Sequence, residues 1–322
     1  MLRRDFSVKG EVAQARLYVT AKGLFEVHLN GEKVGQDAFT PGWTSYGNRI
    51  DTLTYDVTDQ LSKGKNAIGA LLGTGWYAGK IGFRGEQNRY GSQPELLLQL
   101  EIAYADGSFG VIISDGKWKA TFDGPIRTSS IYNGETYDAG MELPGWDEAG
   151  FNDAQWAKVS ADPELGSAEL TPKPFEPVRI TEVLNVQKIT EPEEGRYVFD
   201  LGQNMVGYPE LNIPVRKGRK ITIRFAEMLN LDGTMYTDNY RKAKSINFYT
   251  AAETGVVSWK PTFTFHGFRY VELSGFKPGV KPQKDWVRGL VLHTDIPKIG
   301  TFESSHAKLN QLQSNISGGQ RG

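Results

Sequence analysis

With 322 residues, 39% of them hydrophobic and 11% aromatic, the chain is long enough for two packed cores, and a disordered chain is not expected. A formal net charge of −1 leaves no electrostatic footprint for nucleic acid or an anionic membrane surface, so neither is expected as a partner. The lack of cysteine excludes disulfides, thiolate chemistry and cysteine-ligated zinc without fixing a compartment, and no apolar run approaches membrane-spanning length.

The first half alternates with period two. Phe25, Val27 and Leu29 fall on one face and Glu26, His28 and Asn30 on the other, and Asn30-Gly31 supplies the two positive-φ residues of a tight hairpin turn. Leu96, Leu98, Leu100, Ile102 and Tyr104 form a second alternating face. Asp106-Gly107 turns it into the run from Phe109 to Ile113, another predicted hairpin. Repeated short strands between Gly-rich turns predict a sandwich or jelly roll over residues 1–160. Residues 161–177, with Pro163, Pro172, Pro174 and Pro177, read as a semi-extended linker. Period two then resumes at Tyr197, Phe199 and Leu201, at Ile221, Ile223 and Phe225, and at Phe263 and Phe265, predicting a second β-domain over 178–295. Residues 296–322 contain an amphipathic helix with Leu309, Leu312 and Ile316 in one stripe. That stripe needs a partner that the sequence does not go on to supply, so the chain reads as a piece of a longer protein. The expected fold is all-β: two antiparallel, jelly-roll-like β-sandwich domains and a short C-terminal helix.

Two loops in the first half are rich in glycine and aromatic residues. One is Pro41-Gly42-Trp43-Thr44-Ser45-Tyr46. The other begins Gly73-Thr74-Gly75-Trp76-Tyr77 and runs through Arg84 to Asn88-Arg89-Tyr90-Gly91. Flat aromatic faces beside Arg and Asn suit a sugar, whose C–H groups pack on the ring while planar polar groups satisfy its hydroxyls. The competing reading is that these aromatics plug the ends of a sandwich. Candidate sugar contacts are Trp76, Tyr77, Arg84, Asn88 and Tyr90. Glu135 and Asp138 form a formal carboxylate pair, but carboxylates this close in sequence are common on solvated loops, and no catalytic role is assigned to them. Asp147 and Asp153 show no metal-loop pattern, and the four histidines have no metal-ligand spacing. His266, between Phe265 and Gly267, reads as a satisfied core histidine.

Taken together, the strings resemble the bacterial α-L-rhamnosidase family of glycoside hydrolases. In the first half the resemblance is carried by Ala15-Arg16-Leu17-Tyr18-Val19-Thr20-Ala21, Leu29-Asn30-Gly31, Pro41-Gly42-Trp43, Tyr55-Asp56-Val57-Thr58, Gly75-Trp76-Tyr77 and Tyr137-Asp138-Ala139. In the second it is carried by Asp200-Leu201-Gly202-Gln203-Asn204 and His266-Gly267-Phe268-Arg269-Tyr270. It implies an N-terminal carbohydrate-binding-like jelly roll followed by the β-sandwich that precedes a catalytic (α/α)6 barrel. The acid and base of an inverting hydrolase would lie in that barrel, beyond this sequence, so no catalytic residue is expected here and the chain by itself should be inactive. The implied partners are L-rhamnose or rhamnosylated glycans and the barrel of the parent chain. No cofactor is expected. Calcium helps to hold the sugar in some relatives, but Ser45 stands where many members carry Asp, which removes a charged oxygen ligand. A free-standing lectin-like module and a purely structural scaffold are the alternative readings.

Overall fold

The computed structural model describes residues 1–162 and 166–321. In chain order its first strands are β1 (Leu2–Val8), β2 (Val12–Lys22), β3 (Leu24–Leu29), β4 (Glu32–Lys33), β5 (Arg49–Asp56) and β6 (Gly64–Gly73). A short helix, α1 (Gly75–Ala78), precedes β7 (Glu95–Tyr104), β8 (Phe109–Ile113), β9 (Lys119–Ala120), β10 (Ile126–Ser130), β11 (Gly134–Asp138), β12 (Ala157–Lys158) and β13 (Glu169–Pro172). There follow β14 (Val178–Asn185), β15 (Lys188–Glu193), β16 (Arg196–Val215), β17 (Lys220–Ala226), β18 (Met228–Leu229) and β19 (Met235–Tyr236). The chain continues through β20 (Ile246–Thr250), β21 (Gly255–Trp259), β22 (His266–Ser274) and β23 (Val287–Thr294) to helix α2 (Ala307–Arg321). Two compact units result, Met1–Ile131 with Met141–Phe175, and Tyr132–Gly140 with Glu176–Gly322.

The first unit is a two-layer sandwich. One sheet runs β12-β9-β1-β6-β3-β4 and the other β13-β5-β2-β7-β8. Alternation places Phe6, Val8, Val27, Leu29 and Ile68 of the first sheet against Leu17, Val19, Leu98, Leu100 and Ile102 of the second, in one buried cluster. The predicted Asn30-Gly31 turn is present. Asn30 has φ 51° and Gly31 φ 86°, and Leu29 pairs with Glu32 across the turn. The β7–β8 hairpin is also present, in the register Gln99↔Ile113 to Ala103↔Phe109.

The second unit contains the path β11-β20-β17-β22-β16-β23-β14, with β15 and β21 also on β16. Strand β16 is long because it serves two sets of neighbours. Residues up to Asp200 pair with β15 and β22, and its last residues, Leu211 to Val215, pair with β21. The register shifts between Asp200 and Met205, and Gly202 (φ 85°) lets the backbone turn there. Phe199, Leu211, Ile213, Phe225, Phe268 and Val271 fill the core.

Two features differ from the sequence reading. The segment read as a linker carries β13, which pairs parallel with β5 from Glu169↔Arg49 to Pro172↔Thr52, so the first unit runs to Phe175. Four residues ending in Pro show no visible periodicity. Proline is tolerated there because β13 is an edge strand. Pro163, part of the same predicted linker, lies outside the described residues, as does Gly322. The second feature is Tyr132–Gly140, which leaves the first unit to add β11 to β20 of the second, again in parallel. Parallel neighbours need long connections, and both pairs join strands more than a hundred residues apart.

Candidate functional site

Local backbone constraints build an aromatic platform on the first unit. The loop after β3 is held down by Thr40, whose Oγ1–H donates to the Phe25 carbonyl at 2.7 Å while its own carbonyl accepts from Phe25 N–H at 3.0 Å. Gly42 takes φ 108°, and the Tyr46 hydroxyl donates to its carbonyl at 3.1 Å. Trp43 is left outside, 53% exposed. In the second loop, α1 begins at Gly75, with φ 50°, where a Cβ would lie 2.6 Å from the Leu24 side chain, so the helix sits directly on the core. Successive helical residues point about 100° apart, so Tyr77 turns inward and Trp76 outward.

The rings then meet. Trp43 and Trp76 stack with centroids 6.2 Å apart and planes 7° apart. Trp43 Nε1–H donates to the Tyr90 hydroxyl at 3.3 Å. Tyr46 lies beneath, with Tyr77 and Tyr90 edge-on at 5.1 and 5.0 Å. Burial pushes the Tyr46 phenol well above its ordinary pKa, with the neighbouring Tyr90 adding to the effect, so it stays protonated and donating. Leu170 of β13 packs into the same cluster, so the segment read as a linker forms part of its floor. Lys173, just after it, donates to the Pro41 carbonyl at 2.8 Å and lies over the Phe175 ring.

Of the five predicted contacts, the structure brings Trp76, Tyr77 and Tyr90 together. Tyr77 is buried and serves packing; Trp76 and Tyr90 are half-buried at the rim. Arg84 is exposed in the turn closed by the Ile81↔Glu86 bridge. Asn88 is exposed with φ 60°, its N–H donating to the Ala78 carbonyl at 3.3 Å. Trp43 is the missed member. The composition of its loop stands out in the sequence, but only the folded chain shows it stacked on Trp76 across 33 residues of sequence.

The other carboxylates are structural. Glu135 is fully buried, and its oxygens accept from Thr262 N–H at 3.1 Å and Phe263 N–H at 3.0 Å. Asp138 instead accepts from Gly140 N–H two residues on. Asp147 accepts from His28 Nδ1 at 2.8 Å. Its burial opposes ionisation, but the His28 bond and charge hold the carboxyl below its usual pKa. Asp153 pairs with the fully buried Arg3 and, at 2.6 Å, with Lys119. His266 packs on Phe225 with centroids 4.2 Å apart, its Nδ1 2.9 Å from Ser245 Oγ, and burial lowers its pKa to about 3. Asp200 receives both Nε and Nη2 of Arg269, at 2.8 and 2.9 Å. The residues do not fit a calcium ion held by carboxylates. Ser45 Oγ accepts from Asn48 at 3.0 Å, and no three His, Asp or Glu side chains converge among the described residues.

The family model described as the alpha-L-rhamnosidase N-terminal domain matches residues 10–182, and the bacterial alpha-L-rhamnosidase concanavalin-like domain matches residues 190–293. The chain belongs to the bacterial alpha-L-rhamnosidase family. Its rhamnosidase relatives include one from Formosa agariphila, 50% identical over 321 residues, covering 100% of this chain and 35% of the relative. The crystal structure of the Streptomyces avermitilis alpha-L-rhamnosidase complexed with L-rhamnose superimposes with a TM-score of 0.95 at 45% identity, over 100% of this chain and 31% of that one. The alpha-L-rhamnosidase from Dictyoglumus thermophilum gives 0.91 at 37% identity, over 99% and 35%. The chain thus spans about a third of the length of the curated rhamnosidases it matches, and it matches their N-terminal, non-catalytic portion.

Proposed function

We propose that this chain acts as the non-catalytic β-sandwich portion of an α-L-rhamnosidase, supporting a catalytic helical barrel and holding rhamnose-bearing glycans on the Trp43–Trp76 face. The parent reaction would be hydrolysis of terminal α-L-rhamnosyl linkages with inversion. Its acid and base would stand about 6.5–9.5 Å apart to admit water. The observation that carries the binding part is Trp43, an indole more than half exposed that is nevertheless held by stacking on Trp76 and by the Tyr90 hydroxyl. An exposed indole held in place offers a sugar's C–H face a surface at little entropic cost. Trp76 and Tyr90 flank it, and Arg84 and Asn88 supply exposed polar groups on the adjoining loop. A rhamnosidase relative whose structure is described as complexed with L-rhamnose is consistent with the same sugar class.

Support for the scaffold part comes from residues 296–322, which begin the helical domain in this reading. Leu309, Leu312 and Ile316 of α2 are 47–59% exposed, and Ile299 is fully open. Such a stripe suits packing against helices of the barrel.

Calorimetric titration with L-rhamnose, with and without calcium, tests the binding. Heat that saturates and is lost in Trp43→Ala is the expected result. A flat trace up to about 20 mM would remove the binding role and leave the scaffold. The lectin-like alternative is favoured by one observation: the residues of the platform all belong to the first unit. It predicts saturable L-rhamnose binding by this chain without any catalytic barrel.

A further inference from the structure

The second unit carries an unmatched concentration of positive charge. Arg216, Lys217, Arg219 and Lys220 are four cations in five residues, and no Asp or Glu occurs from Leu211 to Ala226. The chain as a whole is balanced at −1, so this field is local. Backbone bonds fix the turn that carries it. Arg219 N–H donates to the Arg216 carbonyl at 2.8 Å, with Gly218 at φ 72°. Gly218 N–H donates to the Ala251 carbonyl at 2.8 Å, and Ala251 N–H returns a bond to the Arg219 carbonyl at 3.0 Å. Lys217 N–H reaches Thr254 Oγ1 at 3.1 Å. Lys220 opens β17, its ammonium 3.9 Å from the centre of the Phe248 ring. A second acid-free run, residues 273–284, passes against it: a Cβ on Gly275 would lie 2.3 Å from the Lys220 carbonyl. The exposed Lys277 follows two residues after that contact.

All five side chains are exposed, and among the described residues none has a carboxylate partner. Arg224, farther along β17, is by contrast matched by the buried Glu272 at 3.0 Å. Glu253, on the segment that pins the turn, is exposed and makes no ion pair with these cations. The ends of such a turn lie within about 7 Å, so the cations repel one another while the backbone holds them together. An anion relieves that repulsion, and the planar guanidinium groups of Arg216 and Arg219 match a carboxylate or sulfate. We propose that this basic turn binds an acidic glycan, with its carboxylate or sulfate groups received by Arg216 and Arg219 and its chain followed by Lys220 and Lys277. That the polymer is a glycan rests on the reading of the parent as a glycoside hydrolase. Single-stranded nucleic acid is held by stacking on exposed rings, and Phe225, Phe248 and Phe276 of these segments are buried or half-buried. None of the five cations belongs to the Trp43–Trp76 face.

Affinity electrophoresis of the intact chain through gels containing polygalacturonate, dextran sulfate or neutral dextran tests this. Retardation by at least one acidic polymer and none by dextran is expected, weakening as salt is raised, and the polymer that binds identifies the anionic group. In a double Lys217→Glu, Arg219→Glu variant the dissociation constant should rise at least about tenfold. Its circular dichroism should match the parent, because both side chains are exposed. A Lys63→Glu, Lys65→Glu variant makes the same change in net charge on exposed residues of the first unit and should bind as the parent does. Trp43→Ala should also bind the acidic polymer as the parent does, so loss of rhamnose binding alone removes the aromatic face and leaves this contact. Failure of both acidic polymers to retard the chain at about 20 mM salt refutes the proposal, as does equal retardation by dextran. Equal weakening in the Lys63, Lys65 control also refutes it. A DNA duplex that binds as tightly as either acidic polymer would mark the turn as a general polyanion contact and overturn the assignment to a glycan.

Discussion

Glu135 illustrates how a carboxyl group close in sequence to another can have no shared chemistry with it. Its oxygens hold the backbone N–H groups of Thr262 and Phe263 in the interior, while Asp138 serves the local turn at Gly140. Glu135→Ala leaves those two buried donors unsatisfied and should lower unfolding free energy by about 2–4 kcal/mol, read from urea denaturation. His266 sets a pH dependence. Its folded pKa, about 3, lies below the unfolded value near 6.5, so the unfolded chain binds the proton first. Stability from this residue is therefore complete above pH 6.5 and is lost as pH falls from there toward 3, by about 1 kcal/mol per unit. Denaturation midpoints measured from pH 7 to pH 4 should show this slope, and His266→Asn should flatten it. The core character of His266 was legible from its apolar neighbours. The role of Glu135 was not, because its partners lie about 127 residues away and no local pattern marks them.

At the scale of elements, the Asn30-Gly31 hairpin was readable because both positive-φ residues sit side by side between alternating runs. The structure adds a second duty for Asn30. Its amide donates to the Gln60 carbonyl and to Asn66 Oδ1, both at 2.8 Å, and accepts from Ala67 N–H at 2.9 Å. Asn30→Ala should therefore cost about 2–3 kcal/mol, more than a turn preference alone, whereas Asn48→Ala on an exposed loop should shift the melting midpoint little. Trp43→Ala should act on binding: rhamnose affinity falls by at least about tenfold with an unchanged melting temperature, because the indole is more than half exposed and the tyrosines beneath it stay packed. Strand β13 was invisible in the sequence. A proline at its end and a four-residue length give no period, and only pairing with β5 makes it a strand.

At the scale of the whole molecule, Glu135, Asp147, Asp153 and Asp200 are engaged by backbone, His28, Arg or Lys partners. Incubation with a nitrophenyl α-L-rhamnoside should release no nitrophenol above the uncatalysed rate; turnover would overturn the scaffold reading. Sequence alone determined the all-β class, the hairpin turns and the resemblance to the rhamnosidases, since each rests on local alternation, backbone-permissive residues or strings readable in place. Tertiary structure alone decided that Trp43 stacks on Trp76 and that Tyr132–Gly140 pairs with the second unit. Those facts depend on which distant segments become neighbours, and period-two patterning states which face of a strand is apolar but not what lies beside it.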